Sequence, residues 1–429
     1  MNQYAQLIRK LKTPAVMEKL NHLYGSGDGM LVSQTGRYTR LLKKHEELVG
    51  ADGDVLLISA PGRTEIGGNH TDHNRGKVLT AAINLDALAA VSKREDGTVR
   101  IFSDGYDPLE MSLSDLSVRP EEKGTTAALV RGVAARMQAL GHPIGGFDAA
   151  VNSTDAPGCG MSSSAAFEVM LCAIFDALYG GWTLEAKERA QIAQYAENEY
   201  FGKPCGLLDQ IASSMGGLSA IDFRDANPRV TPIQYDFAAK GVSLVVVMTG
   251  GSHADLTDDY AAIPAEMKQV AGFFGEKVLR RVRPEQFFTG IAQLRGQVSD
   301  RAILRASHYF RENERVAAEV EALQKDDLPL FFEQVIESGR SSFEYLQNVY
   351  PAPEQQQLSL ALMMADGMLH GKGAWRVHGG GFAGTTLNFV PDKELKTFIS
   401  QMEGVFGPHS CMTLSIRPEG PCRMDLLED

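Results

Sequence analysis

Between residues 55 and 94 the chain returns three times to apolar runs of strand length: VLLIS at 55–59, KVLTAAI at 77–83 and ALAAVSKR at 87–94. Runs this short, set off by turn formers such as Asp52-Gly53, have the pattern of buried strands and predict an antiparallel sheet before residue 103. Helical periodicity takes over on either side. It is present in the opening MNQYAQLIRKLKTPAVMEKL, over 37–50, and then over 125–140, 163–179 and 184–200. VSLVVVM at 242–248 starts a further strand, followed by a long polar helix over 308–325 and a strand–glycine–strand unit, AWRVHGGGFAGTTLNFV, at 374–390. Turn formers and NPR interrupt the pattern between 225 and 240. The expected division is therefore an N-terminal helical extension at 1–36, a first lobe at 37–228 and a second at 229–429.

A chain of 429 residues exceeds what one hydrophobic core usually organises, in keeping with two packed lobes. Apolar residues make up 44%, yet no apolar run approaches the roughly 20 residues that span a bilayer, so no membrane association is expected. The first residues lack an apolar segment and a small-residue cleavage site, as a cytoplasmic protein would. Five cysteines, an odd number without metal-type spacing, also suit a reducing cytoplasm. With 54 acidic against 42 basic residues, net charge −12, and no basic stretch interleaved with aromatics, nucleic acid is not an expected partner. A phosphate-bearing ligand would need local backbone donors to hold it against this field.

PGCGMSSSAAF, residues 157–167, offers such donors. Gly158 and Gly160 let the backbone approach a ligand, and the serines stand where a helix would begin, so free N–H groups converge on one point suited to an anion. Serine hydroxyls also suit Mg²⁺ beside bound phosphates, although a plain serine cap behind a glycine turn has the same appearance. No G-x-x-x-x-G-K-[ST] string occurs. Gly379, Gly381 and Gly384 do satisfy G-x-G-x-x-G, but TTLNFV after them patterns as a strand and not the helix of a dinucleotide fold. A close backbone approach between lobes is the better reading of these glycines.

APGRTEIGGNHTDHNRG, residues 60–76, is expected on the loop after the first strand. It gathers Arg63, Glu65, Asn69, His70, Asp72, His73 and Arg75, a density of donors and acceptors fit to recognise several hydroxyls. The spacing of His70 and His73 is not that of a zinc site with companion ligands. In AENEYFGKPCGLLDQ, residues 196–210, Glu197 shares a helix face with Ala190, Ala193 and Tyr200. There it either meets a partner such as Mg²⁺ or reaches solvent at the edge of the stripe. Asp209 reads equally as a general base or as a helix-start acid.

In this order the segments resemble the signature motifs of the GHMP kinases, and of the galactokinases in particular. PGRTEIGGNHTDHNRG is similar to the galactokinase signature, PGCGMSSSAAF to the phosphate loop, and HGGGFAGTTLNF to the third motif; AENEYFGKPCGLLDQ and GGSHADLTDDY resemble the catalytic-acid and sugar-contact segments. The resemblance implies a two-lobed α+β GHMP kinase fold, with a ribosomal-S5-domain-2-like N-terminal lobe, a ferredoxin-like C-terminal lobe and the site in the cleft between them. It implies that Asp209 is the catalytic aspartate and Arg63 its partner, holding it ionised and offsetting charge in the transition state. Pro157, Gly158, Gly160, Ser162, Ser163 and Ser164 would cradle the ATP phosphates, with Ser163 and Glu197 nearest Mg²⁺. Asn69, His70, Asp72 and Tyr260 would contact the sugar. The C1 hydroxyl of galactose would attack the γ-phosphate, the partners being sugar and ATP and the protein a monomer or weak homo-oligomer.

One departure bears on the substrate. Galactokinases usually read G-E-H-T-D-Y where this chain has Gly68-Asn69-His70-Thr71-Asp72-His73. The glutamate expected to hold the C6 hydroxyl is thus Asn69, and an amide there would also accept a C6 carboxylate, which makes a related sugar such as galacturonate or N-acetylgalactosamine the alternative to galactose, with a non-catalytic sugar sensor on the same fold as the remaining reading. The helix before Arg37 has no counterpart in the resemblance.

Overall fold

A computed structural model of the chain describes residues 3–27, 29–50, 54–154, 163–203, 205–250, 256–382 and 384–424. The single helix expected at the start is two, Gln3–Lys10 (α1) and Pro14–Tyr24 (α2), because Pro14 cannot continue α1 but suits the first turn of α2. Met30–Val49 (α3) follows and extends the expected 37–50 helix toward the N-terminus. Together they lay Tyr4, Leu20, Leu23, Tyr38 and Leu42 on one face of a sheet, against Leu57, Leu88 and Ala150.

That sheet is built from Leu56–Gly67 (β1), Lys77–Lys93 (β2), Thr98–Ser103 (β3) and Leu109–Ser112 (β4), then, after the helix Thr126–Ala139 (α4), from Phe147–Ser153 (β5). Ser163–Phe175 (α5), Ala186–Tyr195 (α6) and Leu208–Met215 (α7) precede its strands Leu218–Asp222 (β6) and Arg229–Ile233 (β7). Strand β2 holds it together: its first half pairs with β6 and its second half with β5, while β1 runs antiparallel along nearly all of it. The neighbours of Leu57 in β1, Ile58 and Ala60, face the other way into a core with Val130, Val133, Met170 and Ile174 from α4 and α5. Both faces are covered, which is why the β1 run is continuously apolar. The two runs at 77–83 and 87–94 are one strand, not two. Asn84 and Asp86 between them are tied into the interior: Asp86 bonds Arg37 (2.5 Å), Tyr24 (2.6 Å) and Ser59, and the Asn84 side chain accepts from the Ser415 amide (2.9 Å).

The second half supplies Val242–Met248 (β8) and then the helices Thr257–Phe273 (α8), Pro284–Thr289 (α9), Ile291–Leu294 (α10), Asp300–Gln324 (α11), Leu328–Ser341 (α12) and Gln357–Leu369 (α13). Ala374–Val377 (β9), Thr385–Pro391 (β10), Asp392–Phe406 (α14) and Cys411–Leu414 (β11) complete an antiparallel sheet in the order β11-β8-β10-β9. A last strand, Cys422–Arg423 (β12), returns to pair with β1. The expected boundary at 228/229 falls between β6 and β7, which pair with each other in the first sheet. One apolar cluster, Ile66, Leu79 and Ala81 with Leu244, Val246, Leu387 and Phe389, joins the two sheets and sets the ends of β1 and β9 face to face. No helix among the described residues is long and apolar enough to cross a membrane, and the described cysteines Cys172, Cys205, Cys411 and Cys422 are free thiols. The Asp52-Gly53 turn lies outside the described residues.

Candidate active site

Residues 61–67, expected on a loop, are the second half of β1. They stay hydrogen-bonded to β2, with register shifts between Pro61 and Arg63 and between Glu65 and Gly67. Alternation along the strand buries Ile66 in the core joining the sheets and leaves Arg63 and Glu65 lining a cavity of about 280 Å³. The size is near the lower limit of ligand pockets, roughly 300–1,000 Å³, and the lining is unusually polar. Arg63 donates from Nε to Asp209 Oδ1 (2.6 Å) and from Nη2 to Oδ2 (2.9 Å). This two-point pairing fixes the plane of the carboxylate. Asp209 is the second residue of α7, whose Ser213 hydroxyl donates to the Pro61 carbonyl (2.6 Å) at the first shift in β1. Helix and strand are thereby locked in the register that brings the pair together.

The turn after β1 forms the next wall. His70 is held in the left-handed region at φ 56°, and its Nε2 donates to the Gly380 carbonyl (2.9 Å). Burial pulls its pKa down to about 4, so the neutral imidazole is the working form. Asp72 crosses to the segment before α7, where a Cβ on Gly206 would lie 2.4 Å from its Oδ2, so a side chain at 206 would push the Asp72 carboxylate aside. The glycine turn between β9 and β10 presents carbonyls to both sides. Gly379 O accepts from Asn69 Nδ2 (2.6 Å), Gly380 O from His70 and Asn348, and Gly381 O from the Tyr260 hydroxyl (2.8 Å). This is the close approach between lobes expected of Gly379 and Gly381.

Behind Asp209 lies a buried acidic pair. Glu197, on a wide π-type turn that prolongs α6, and Glu168 of α5 both accept from Gln210 Nε2, at 2.8 Å and 3.1 Å. Lys203, which lines the cavity, stands 3.5 Å from Glu197. Burial, and then the charge of Glu197, push Glu168 well above the usual carboxylate range. Glu168 Oε1 and Gln210 Oε1 are buried without a hydrogen-bond partner among the described residues. Glu197 is thus buried, as the stripe of Ala190, Ala193 and Tyr200 allowed, and not at a solvent edge. Pro157, Gly158, Gly160 and Ser162 lie outside the described residues, as do 251–255 of the sugar-contact segment. Ser163 is the first residue of α5 and Ser164 the second. Among the described residues no group of three or more His, Cys, Asp or Glu is arranged to hold a metal by itself.

Residues 43–93 match the galactokinase galactose-binding signature, and 128–217 match the GHMP kinase N-terminal domain. A galactokinase of Streptomyces coelicolor is 32% identical over 373 residues, covering 85% of this chain and 92% of that one. The chain belongs to the galactokinase family. A galactokinase of Actinobacillus pleuropneumoniae is 33% identical over 345 residues, covering 79% of this chain and 86% of its own. Among solved structures, Lactococcus lactis galactokinase complexed with galactose superposes with a TM-score of 0.77 at 22% identity, covering 89% of this chain and 98% of that one. Methanococcus jannaschii mevalonate kinase gives 0.61 at 15%, covering 85% and 99%. The architecture is the two-lobed α+β fold of the GHMP kinases.

Of the residues expected to serve a galactokinase-family site, Arg63, Asp209, Asn69, His70 and Asp72 line one cavity. Tyr260 does not border that cavity; its ring packs edge-on to Phe382, behind the glycine turn. Asn69 borders the cavity but is spent on the protein. Its Nδ2 donates to Glu65 Oε1 (2.8 Å) and Gly379 O, and its Oδ1 accepts from Asn348 Nδ2 (2.8 Å) and Ser342 Oγ (3.4 Å). Glu65, gathered with the other donors and acceptors of 60–76 but given no role of its own, lines the cavity, and so does Lys203, which the sequence did not single out. The polar–apolar alternation of Arg63-Thr64-Glu65-Ile66 was the available signal for Glu65; for Lys203 there was none beyond its place in the quoted segment.

Proposed function

We propose that this protein transfers the γ-phosphoryl group of MgATP to the C1 hydroxyl of galactose, giving galactose 1-phosphate and ADP. The observation that carries the reading is the two-point Arg63–Asp209 pair, set in a small polar cavity between lobes. A hydroxyl lodged against Asp209 donates to its carboxylate, which orients the attacking oxygen and takes the proton as the O–P bond forms. Arg63 holds the carboxylate in place and offsets charge on the transferring group. In phosphoryl transfer such positioning and electrostatics supply most of the acceleration. The neutral imidazole of His70 and the carboxylate of Asp72 furnish further partners for the sugar. The α5 start at Ser163 and Ser164, with Pro157, Gly158, Gly160 and Ser162 before it, is assigned to the phosphates.

The buried acidic pair fits a hard cation: two carboxylates share one amide donor, and a Glu168 oxygen is left unpartnered. Glu197 and Ser163 would hold Mg²⁺, which when bound neutralises charge on the phosphate oxygens. The test is ADP release from MgATP by purified protein over a panel of galactose, galacturonate, N-acetylgalactosamine, glucose and arabinose. Release that requires a hexose, with galactose the best by kcat/KM, is the expected result; sugar-independent release or none refutes the assignment.

A further inference from the structure

Of the acceptors gathered in 60–76, the Glu65 carboxylate is one that the strand turns into the cavity. Glu65 Oε1 accepts from Asn69 Nδ2 (2.8 Å) and Arg376 Nη2 (3.2 Å), whereas its Oε2 has no hydrogen-bond partner among the described residues. The side chain is 12% exposed, and that exposure is to the cavity it lines. Asn69, beside it, has all four hydrogen-bonding positions of its amide engaged by Glu65, Gly379, Asn348 and Ser342. Any hydroxyl reaching this end of the cavity meets a glutamate oxygen with an unused acceptor site, and an asparagine with nothing left to offer.

We propose that Glu65, and not Asn69, presents the acceptor that holds a sugar hydroxyl here, and that its charge turns away sugars bearing a carboxylate. Asn69 is then a positioning residue: it pins Glu65 to the glycine turn. Arg376, fully buried on β9, stands behind Glu65 but also donates to the Ile66 and Val377 carbonyls, so it is not open to a second carboxylate. The charged groups around Glu65 are Arg63 on its own strand, Arg376 on β9, Asp72 on the following turn, and Glu319 on α11. Burial raises Glu65 to about 7, so the discrimination is best read at pH 8, where the group is ionised. The inference rests on the hexose-kinase reading and names the neutral-sugar class within it.

The experiment compares wild type with Glu65→Gln at pH 8, measuring kcat and KM for galactose and galacturonate, and the Kd of each sugar by calorimetry without nucleotide. The expected result is galactose KM raised about tenfold with kcat changed much less, and the preference for galactose over galacturonate reduced at least about tenfold. The ratio of the two substrates is independent of the fraction of protein folded, so partial misfolding does not imitate the effect. An unchanged ratio in Glu65→Gln, or a wild type that prefers galacturonate, overturns the inference while leaving a sugar kinase in place. A wild type that turns over no hexose refutes the kinase assignment itself, and this inference with it.

Discussion

Arg63 and Asp209 stand 146 positions apart, and their pairing is the arrangement on which turnover depends. Asp209→Asn keeps the shape but removes the proton acceptor. It is expected to bind nucleotide as wild type does and to lose turnover by about 10²–10⁴-fold, measured by single-turnover kinetics alongside nucleotide titration. A second consequence at this scale concerns pH. His308 is fully buried between Ser341 Oγ (2.9 Å) and the Asn69 carbonyl (2.9 Å), and burial lowers its pKa from 6.5 to about 4. The unfolded chain takes up this proton below 6.5 and the folded chain only near 4, so the stability it contributes is complete above 6.5 and is lost as pH falls through that window. At about 1.4 kcal/mol per unit the loss is about 3 kcal/mol. The difference in unfolding free energy between wild type and His308→Gln should therefore change with pH between 6.5 and 4; a constant difference would mean the imidazole is protonated in the fold. The donors of 60–76 were legible from residue types alone. Which of them face a ligand was not, because whether Asn69 is available depends on Asn348 and Ser342, which are far away in the chain.

Elements decide how these residues are presented. Because β1 continues through Gly67, Arg63 and Glu65 fall on one face by simple alternation, whereas a loop would have left their directions open. The strand was misread as loop because its polar residues face a cavity instead of apolar neighbours. Glu197 is placed by packing of a different kind. A Cβ on Gly132 of α4 would lie 2.8 Å from the Ala196 Cα, at the start of the wide turn that carries Glu197. Gly132→Ala should displace that turn, costing about 1–3 kcal/mol of stability and weakening the apparent Mg²⁺ affinity. Thermal unfolding and a Mg²⁺ titration of activity check the two parts, and a fall in stability with unchanged Mg²⁺ dependence would detach the turn from metal binding. The 242–248 strand and the 125–140 helix were legible to within a residue or two, since their periodicity is uninterrupted.

At the scale of the molecule, one buried ionic network joins three distant parts of the chain. Asp86 of β2 meets Arg37 from α3 (2.5 Å), and Arg417 from the C-terminal segment at 3.4 Å; Arg417 also donates to Ser59 Oγ (2.6 Å). The N-terminal helices and the returning tail are thus fastened to the strand that leads into the site. Arg417→Ala removes one cation and leaves Asp86 with less compensation, so a destabilisation of about 3 kcal/mol is expected in denaturant unfolding, with galactose KM of the folded protein unchanged. A neutral effect on stability would show that Arg37 alone suffices. The sequence by itself determined the buried-strand runs and the glycine-dense motifs whose resemblance carried the fold class and the family, because these are local signals borne by neighbouring residues. Only the tertiary structure decided that Glu65 faces the cavity while Asn69 is consumed within the protein, and that the N-terminal helices close one face of the first sheet. Those outcomes depend on which hydrogen-bonding groups meet across hundreds of residues, and no pattern of neighbours along the chain encodes such meetings.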